Sequence, residues 1–308
     1  MRVGYGLPVG GPGAGPEGLI RVAQKAEELG FQSLWVWERL IVPVNPQVGY
    51  LGTPDGSYPD VFKRVLDPLD TLTFVAAHTK SAALGTSVIN MPYYNPVFLA
   101  RRLTSIDVLS GGRVRAGLGL GWCKDEFDVV GREQKRLGRL ADEFLAALKA
   151  VWTENPVEFH GEFYQLPRSY IDLKPVQKPH PPVYLAAYTP TGIKRAATKA
   201  NGWTPVGIPP AGMGQMFQGM QAMAKEAGRD PGEVELVVRA NLEFTDEPLA
   251  ENGRFPFHGS QDQIKADIQA SREAGATEII FDVSFAPEGM SADGYLSRME
   301  QVRELAGA

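Results

Sequence analysis

One cysteine, Cys123, stands in a chain of 308 residues. That excludes an intrachain disulfide and a cysteine-rich metal site. Histidine is almost as scarce. His78, His160, His180 and His258 are dispersed without H-x-x-x-H spacing, so they read as structural or exposed side chains and no metal is expected. Positive charge is in deficit, with 31 Lys plus Arg against 36 Asp plus Glu and a net charge of −5. A field of that sign argues against nucleic acid and against an anionic membrane surface. No apolar run approaches bilayer length, and the start, Met1-Arg2-Val3-Gly4-Tyr5-Gly6, lacks the apolar core of a signal peptide. A nucleophile elbow and a Walker-type loop are also missing. The expectation is a soluble, cytoplasmic globular protein that acts on a small molecule.

What the chain has in quantity is small and rigid residues, 34 Gly and 24 Pro, and they fall as punctuation. Pro16, Pro68, Pro96 and Pro190 sit where the first residue of a helix belongs, and Gly30, Gly112, Gly202, Gly228 and Gly275 sit where helices end. Between them, apolar strands alternate with helical periodicities. The strands are 3–8, 31–38 (FQSLWVWE), 83–90 (ALGTSVIN), 113–120 (RVRAGLGL), 182–187, 203–206, 234–244 and 278–283 (EIIFDV). The helices include 133–152, with its stripe Leu137, Leu140, Phe144, Leu148 and Val151, and a methionine-faced one, Met213 to Met223, read as a core face. Ser260 with Gln263 is a capping box. Eight units of strand and helix, with strands apolar on both faces and no linker, predict one α/β domain over 1–308, a TIM (β/α)8 barrel. Segments 41–66 and 160–182 are expected to be long loops over its C-terminal mouth.

In such a barrel the chemistry sits at the C-terminal strand ends. Trp37, Glu38 and Arg39 follow the second strand, Thr86-Ser87-Val88 lie at the end of the third, and Gly117-Leu-Gly-Leu-Gly121-Trp122 close the fourth, with Glu126 behind. The glycine run lacks G-x-G-x-x-G spacing and opens no helix at once, so it is no dinucleotide fingerprint. The expectation is that Gly117, Gly119 and Gly121 let a flat ring lie against the strand end. Ala187-Tyr188-Thr189-Pro190-Thr191-Gly192 opens a helix, and its N-terminus suits a phosphate as well as an ordinary cap. Cys123 has no activating base in view and reads as a non-nucleophilic thiol. Asn45, Tyr50, Tyr58, Tyr93 and Tyr94 are candidate substrate contacts.

These segments resemble the luciferase-like monooxygenase superfamily, and within it the F420-dependent oxidoreductases. The likeness is carried by RVGYGLP, AEELGFQSLWVWERL, DPLDTLTFVAAHT, LGTSVINMPYYNPVFLARRLTSIDVLSGGRVRAGLGLGW, EFHGEFY, KPVQKPHPPVYLAA and ANGW. It implies a TIM barrel holding the deazaflavin F420, or alternatively FMN, at the mouth, and a homodimer. It places Ser87-Val88 where relatives carry a non-prolyl cis peptide behind the ring, and Trp37, Arg39, Thr86, Gly119, Gly121 and Trp122 around that ring. Ala187, Tyr188, Thr189, Thr191 and Gly192 fall on the phosphate turn, with Ala186-Ala187 in place of glycines. Glu38-Arg39 stands where F420-binding relatives often have Asp-His, which keeps a carboxylate and removes a histidine proton donor. Glu38 and Glu126 are the candidate catalytic acids. The implied activity is hydride exchange between F420 and a small organic substrate. The alternatives are monooxygenation with reduced FMN and O2, or a barrel that has lost its cofactor and serves as a binding or partner subunit.

Overall fold

The structure, a computed structural model, describes residues 1–53 and 55–307. Residue 54 of the 41–66 loop and residue 308 lie outside the described residues. Eight strands, β1 (Arg2–Gly6), β2 (Ser33–Val36), β3 (Ala83–Thr86), β4 (Val114–Gly119), β5 (Val183–Leu185), β6 (Gly202–Trp203), β7 (Glu235–Asn241) and β8 (Glu278–Asp282), pair in parallel. Their order is β3-β2-β1-β8-β7-β6-β5-β4, and pairing of β3 with β4 closes the ring. Helices α1 (Pro16–Glu28), α2 (Pro68–His78), α3 (Pro96–Ser110), α4 (Leu137–Thr153), α5 (Pro190–Lys199), α6 (Pro210–Glu226), α7 (Gln261–Glu273) and α8 (Ala292–Leu305) connect them. The result is the single (β/α)8 barrel expected from the alternation.

Local chemistry sets the joints. Proline opens α1, α2, α3 and α5 at the first turn, where no N–H is missed. The Asp67 carboxylate accepts from Leu69 N and Asp70 N at 2.9 and 3.0 Å, and Ser260 and Gln263 complete the capping box on α7. Gly30, at φ +77°, turns the chain out of α1. The inward stripe of α4 is Leu140, Phe144, Leu148 and Val151, all buried. That helix starts at Leu137 rather than at 133, because residues Lys124–Val129 form a separate short helix and Arg136 takes φ +58°. Met213 and Met220 of α6 are buried, as a core face requires.

The N-terminal end of the barrel is plugged. Trp35, Tyr184, Val237 and Ile280 fill the interior. Glycine at 85 is what admits Trp35, since a Cβ there would lie 2.2 Å from its ring. Below them Glu278, fully buried, accepts from Arg2 Nε at 2.9 Å and from Arg115 and Ser33 Oγ, while Arg2 Nη2 reaches Glu235 at 2.5 Å. Burial works against the Glu278 charge, yet Arg115, Ser33 and Arg2 outweigh it and hold the carboxyl below its ordinary range.

Segment 160–182 departs from expectation. Val157–His160 and Gln165–Ser169 form an antiparallel hairpin on the outer wall. The Glu143 carboxylate of α4 fixes its tip by accepting from the amides of Glu162, Phe163 and Tyr164 at 2.6–2.8 Å. The return then crosses the closed end of the barrel, where Gln177 bonds Asp107 near the end of α3 and His180 stacks on Trp152. None of it lines the mouth. Loop 41–66 does, through Tyr50, Leu51, Gly52 and Phe62, and Gly207 and Phe255 join it there; beyond them a short parallel ladder pairs Glu243–Phe244 with His258–Gly259. Among the described residues, no helix is long and apolar enough to cross a membrane.

Candidate functional site

The C-terminal strand ends surround a cavity of about 600 Å³, within the ordinary range for a cofactor or substrate site. Its floor is built by β3. After Thr86 the chain bulges through Ser87 and Val88, whose peptide is cis, and rejoins β4 with Ile89 and Asn90 opposite Leu118 and Gly119. Ser87, Val88 and Gly119 face the cavity. Thr86 does not. Its hydroxyl staples the bulge to β4, donating to Gly117 O at 2.7 Å and accepting from Gly117 N at 3.0 Å.

This corrects the reading of the glycine run. A Cβ on Gly117 would sit 1.8 Å from Thr86 O, and one on Gly119 would sit 2.7 Å from Val88 Cγ2. Gly121 has φ +74° and would press on Tyr93 Oη. The space at 117 and 119 is filled by the protein's own bulge, so these glycines bring the floor close to β4 before any ligand is considered. Gly119 and Gly121 still border the cavity.

A buried ion pair underlies the floor. Arg239 of β7 pairs with Asp282 at the end of β8, donates to Ser87 O, and bonds Asn241 Oδ1 through Nε at 2.9 Å. Asp282 also accepts from Ser284 N at 2.8 Å and from the Ser284 hydroxyl, which takes the Trp37 indole N–H at 3.0 Å. One continuous network thus sets the floor and the Trp37 wall together. Sequence reading passed over Arg239 and Asp282 as strand interior. The signal was there, a charge inside each of two otherwise apolar strands, ELVVRAN and EIIFD.

The two candidate acids differ in position. Glu38, 6% exposed, lines the cavity. Its Oε2 accepts from Asn90 N at 2.8 Å and Asn90 Nδ2 at 3.0 Å, and its Oε1 accepts from Tyr94. Burial pushes its carboxyl up to about 7, against the pull of those three donors and with help from the nearby Glu126 charge. Glu126, also buried, is not on the cavity wall. It accepts from Leu40 N at 2.8 Å, Ile41 N at 3.4 Å and Tyr93 OH at 2.9 Å, so it anchors the start of loop 41–66. Tyr93 and Tyr94 therefore hold carboxylates, and Asn45 is exposed away from the cavity.

The roof is aromatic. Tyr50 and Tyr58 from the loop pack on Trp122 with ring centroids 5.5 and 5.6 Å apart, and Phe62 packs on Trp37, Tyr50 and Phe285. Arg39 lies between Phe62 and Trp122, its guanidinium carbon 4.7 and 4.8 Å from their centroids. Cys123 is buried with the Tyr58 hydroxyl 3.4 Å from its sulfur. On the far wall Ala187, Tyr188, Thr189 and Gly192 border the cavity while Thr191 does not. Thr189 caps α5 by accepting from Gly192 N at 3.2 Å. Thr204, just after β6, turns a buried hydroxyl without any partner toward the same cavity.

Comparison with known proteins gives a consistent picture. An uncharacterized protein of Mycobacterium tuberculosis is 37% identical over 183 residues, 59% of this chain and 64% of that protein. The F420-dependent glucose-6-phosphate dehydrogenase of Amycolatopsis mediterranei is 31% identical over 210 residues, 66% of this chain and 56% of that one. These matches thus span less than two thirds of either relative. The crystal structure of a monooxygenase from Streptomyces bottropensis superposes with a TM-score of 0.80 at 21% identity, over 99% of this chain and 98% of that one, which is a likeness of fold. The family model of the luciferase-like monooxygenases matches residues 1–250. With the closed parallel barrel and its mouth cavity, that match establishes that the chain belongs to the luciferase-like monooxygenase family.

Proposed function

We propose that this chain is an oxidoreductase that holds F420 in the mouth cavity and exchanges a hydride between it and a small organic substrate. The observation that carries this reading is the place of Glu38, a carboxyl buried on the cavity wall, where burial pushes it up to about 7. A group so poised can give or take a proton at working pH, which is what carbonyl–alcohol interconversion requires beside hydride transfer. The likeness to an F420-dependent dehydrogenase supports the choice of cofactor.

The residues present fit such a group. Thr204, on the cavity wall, has a buried hydroxyl without a partner. Thr204 Oγ1 and the N-terminus of α5 would hold the phosphate, where a hydroxyl and the helix dipole both favour an anion. Ser87, Val88 and Gly119 would support the ring. A bound deazaflavin supplies the hydride chemistry. The protein's part is to position, to exclude water beneath the aromatic roof, and to keep a proton on Glu38 Oε1, the oxygen that Asn90 leaves free. Arg239, fixed by Asp282, keeps the Ser87 carbonyl and hence the floor in place.

Titration of the purified protein with F420 and FMN tests this. F420 is expected to bind more tightly, and Thr204→Val to weaken it about tenfold, the loss of one hydrogen bond to a charged group. Preference for FMN would move the chain to flavin-dependent monooxygenation, and binding of neither would leave the cofactor-free alternative. We also propose that the chain is a homodimer. Phe98 and Leu109, 71% and 69% exposed on α3, are large apolar side chains left open to solvent. Sedimentation velocity is expected to show a species of twice 33.5 kDa, and a monomer at micromolar concentration would reject the dimer.

A further inference from the structure

We propose that Arg39 is a specificity-determining residue that receives a carboxylate of the substrate, so that the substrate class is a small, largely apolar molecule carrying one carboxylate. The proposal rests on reading the mouth cavity as the reaction chamber and adds the chemistry of what enters it. Three arginines line that cavity, Arg39, Arg195 and Arg239. Arg195 is bonded to Asp142 and Gly138 O, and Arg239 to Asp282, Asn241 and Ser87 O. Arg39 differs. Its side chain is 8% exposed, yet Nε and Nη1 are buried without an acceptor. Glu126 Oε1 comes within 3.1 Å of Nη1 but off the hydrogen-bonding direction, and that carboxylate is already engaged by Leu40 N and Tyr93 OH. Glu126 therefore steadies the charge of Arg39 without using its directional donors.

The guanidinium is also held by two rings, Phe62 and Trp122, whose centroids lie 4.7 and 4.8 Å from its carbon. A planar guanidinium matches the two oxygens of a carboxylate, whereas a neutral carbonyl offers a single oxygen. Its place points to substrate rather than cofactor. Arg39 belongs to the roof contributed by loop 41–66 and Trp122, while the floor of Val88 and Gly119 and the cradle at Thr204 lie on other walls of the cavity. The neighbouring roof residues Trp37, Tyr50 and Phe285 would cover the apolar remainder of such a molecule.

Tryptophan fluorescence, with Trp122 against Arg39 as reporter, reads this out with phenylacetate and phenylacetamide as probes, in the presence and absence of F420. The wild-type protein is expected to bind phenylacetate about tenfold more tightly than the amide. Arg39→Met should erase that preference and Arg39→Lys retain part of it, while F420 affinity stays within about threefold. Should Arg39→Met fail to fold, Arg39→Gln carries the same comparison. Equal binding of the two probes, no saturable binding of phenylacetate, or a preference that survives loss of Arg39 overturns the proposal. Failure to bind F420 with the carboxylate preference intact strikes the cofactor assignment instead, so the two are separable.

Discussion

Glu38→Gln is expected to lower the turnover of the cofactor-loaded enzyme by about 10²- to 10⁴-fold, the usual yield of a general acid or base, and to change how stability depends on pH. The substitution keeps the size of the side chain, and an amide can still accept from Asn90 N and Nδ2 and meet Tyr94. The stability effect follows from proton linkage. In the unfolded chain the carboxyl has its ordinary value of 4.5, and in the fold burial pushes it up to about 7. Between those values the folded protein binds the proton and the unfolded chain does not. The stabilisation from this group is therefore complete below about pH 4.5 and is lost as pH rises through about 7, to a total of about 3 kcal/mol. Wild-type protein should thus lose stability from pH 5 to pH 8 relative to Glu38→Gln, whose melting temperature should exceed it at pH 8. Melting curves at both pH values settle the point. If the two proteins change in parallel, Glu38 is ionised in the fold and cannot be the proton donor.

Gly117→Ala should be the most disruptive single methyl in the molecule's mouth. A Cβ there would lie 1.8 Å from Thr86 O and 2.9 Å from Thr86 C, both backbone atoms, so no side-chain rotation relieves it. Either β3 and β4 part or the Ser87–Val88 bulge moves, and the Thr86 hydroxyl bonds to Gly117 are lost with it. Overpacking of this kind costs about 3 kcal/mol, roughly 5 °C in melting temperature for a chain of this size, and ligand binding on the floor should fall with it. Gly212→Ala is the control. It lies in α6 with nothing within 4 Å of its Cβ, and should be neutral or slightly stabilising. Similar melting temperatures for the two variants would show that the bulge does not press on β4 as described.

The barrel was legible in the sequence because its joints are chemical. Proline at the first turn of a helix and glycine at positive φ leave marks that need no tertiary information, and the eight strands between them are apolar runs. Glu38, Ser87, Trp122 and the Thr189 turn were also within reach, since a residue that follows a barrel strand has to face the mouth. Three kinds of feature were not. The wall hairpin of Val157–His160 and Gln165–Ser169 looks like loop because its anchor, Glu143, is on another element. The glycines of β4 looked reserved for a ligand because Thr86 and Val88, which lean on them, are 31 positions away in sequence. The separate duties of Glu38 and Glu126 depend on which of them faces the cavity, a matter of angle rather than of spacing.

The closure of the barrel carries a consequence for its synthesis. β1 is flanked by β2 and β8, and Arg2 bonds to Glu278 across 276 positions of chain. On the ribosome β1 therefore keeps one bare edge until β8, 276 positions later, has emerged. Contacts this distant slow folding and prolong the life of open sheet edges, the species most prone to join their like. The charged residues Arg2 and Glu278, at the paired starts of β1 and β8, put opposite charges on the two edges that must find each other and make either edge a poor match for a copy of itself.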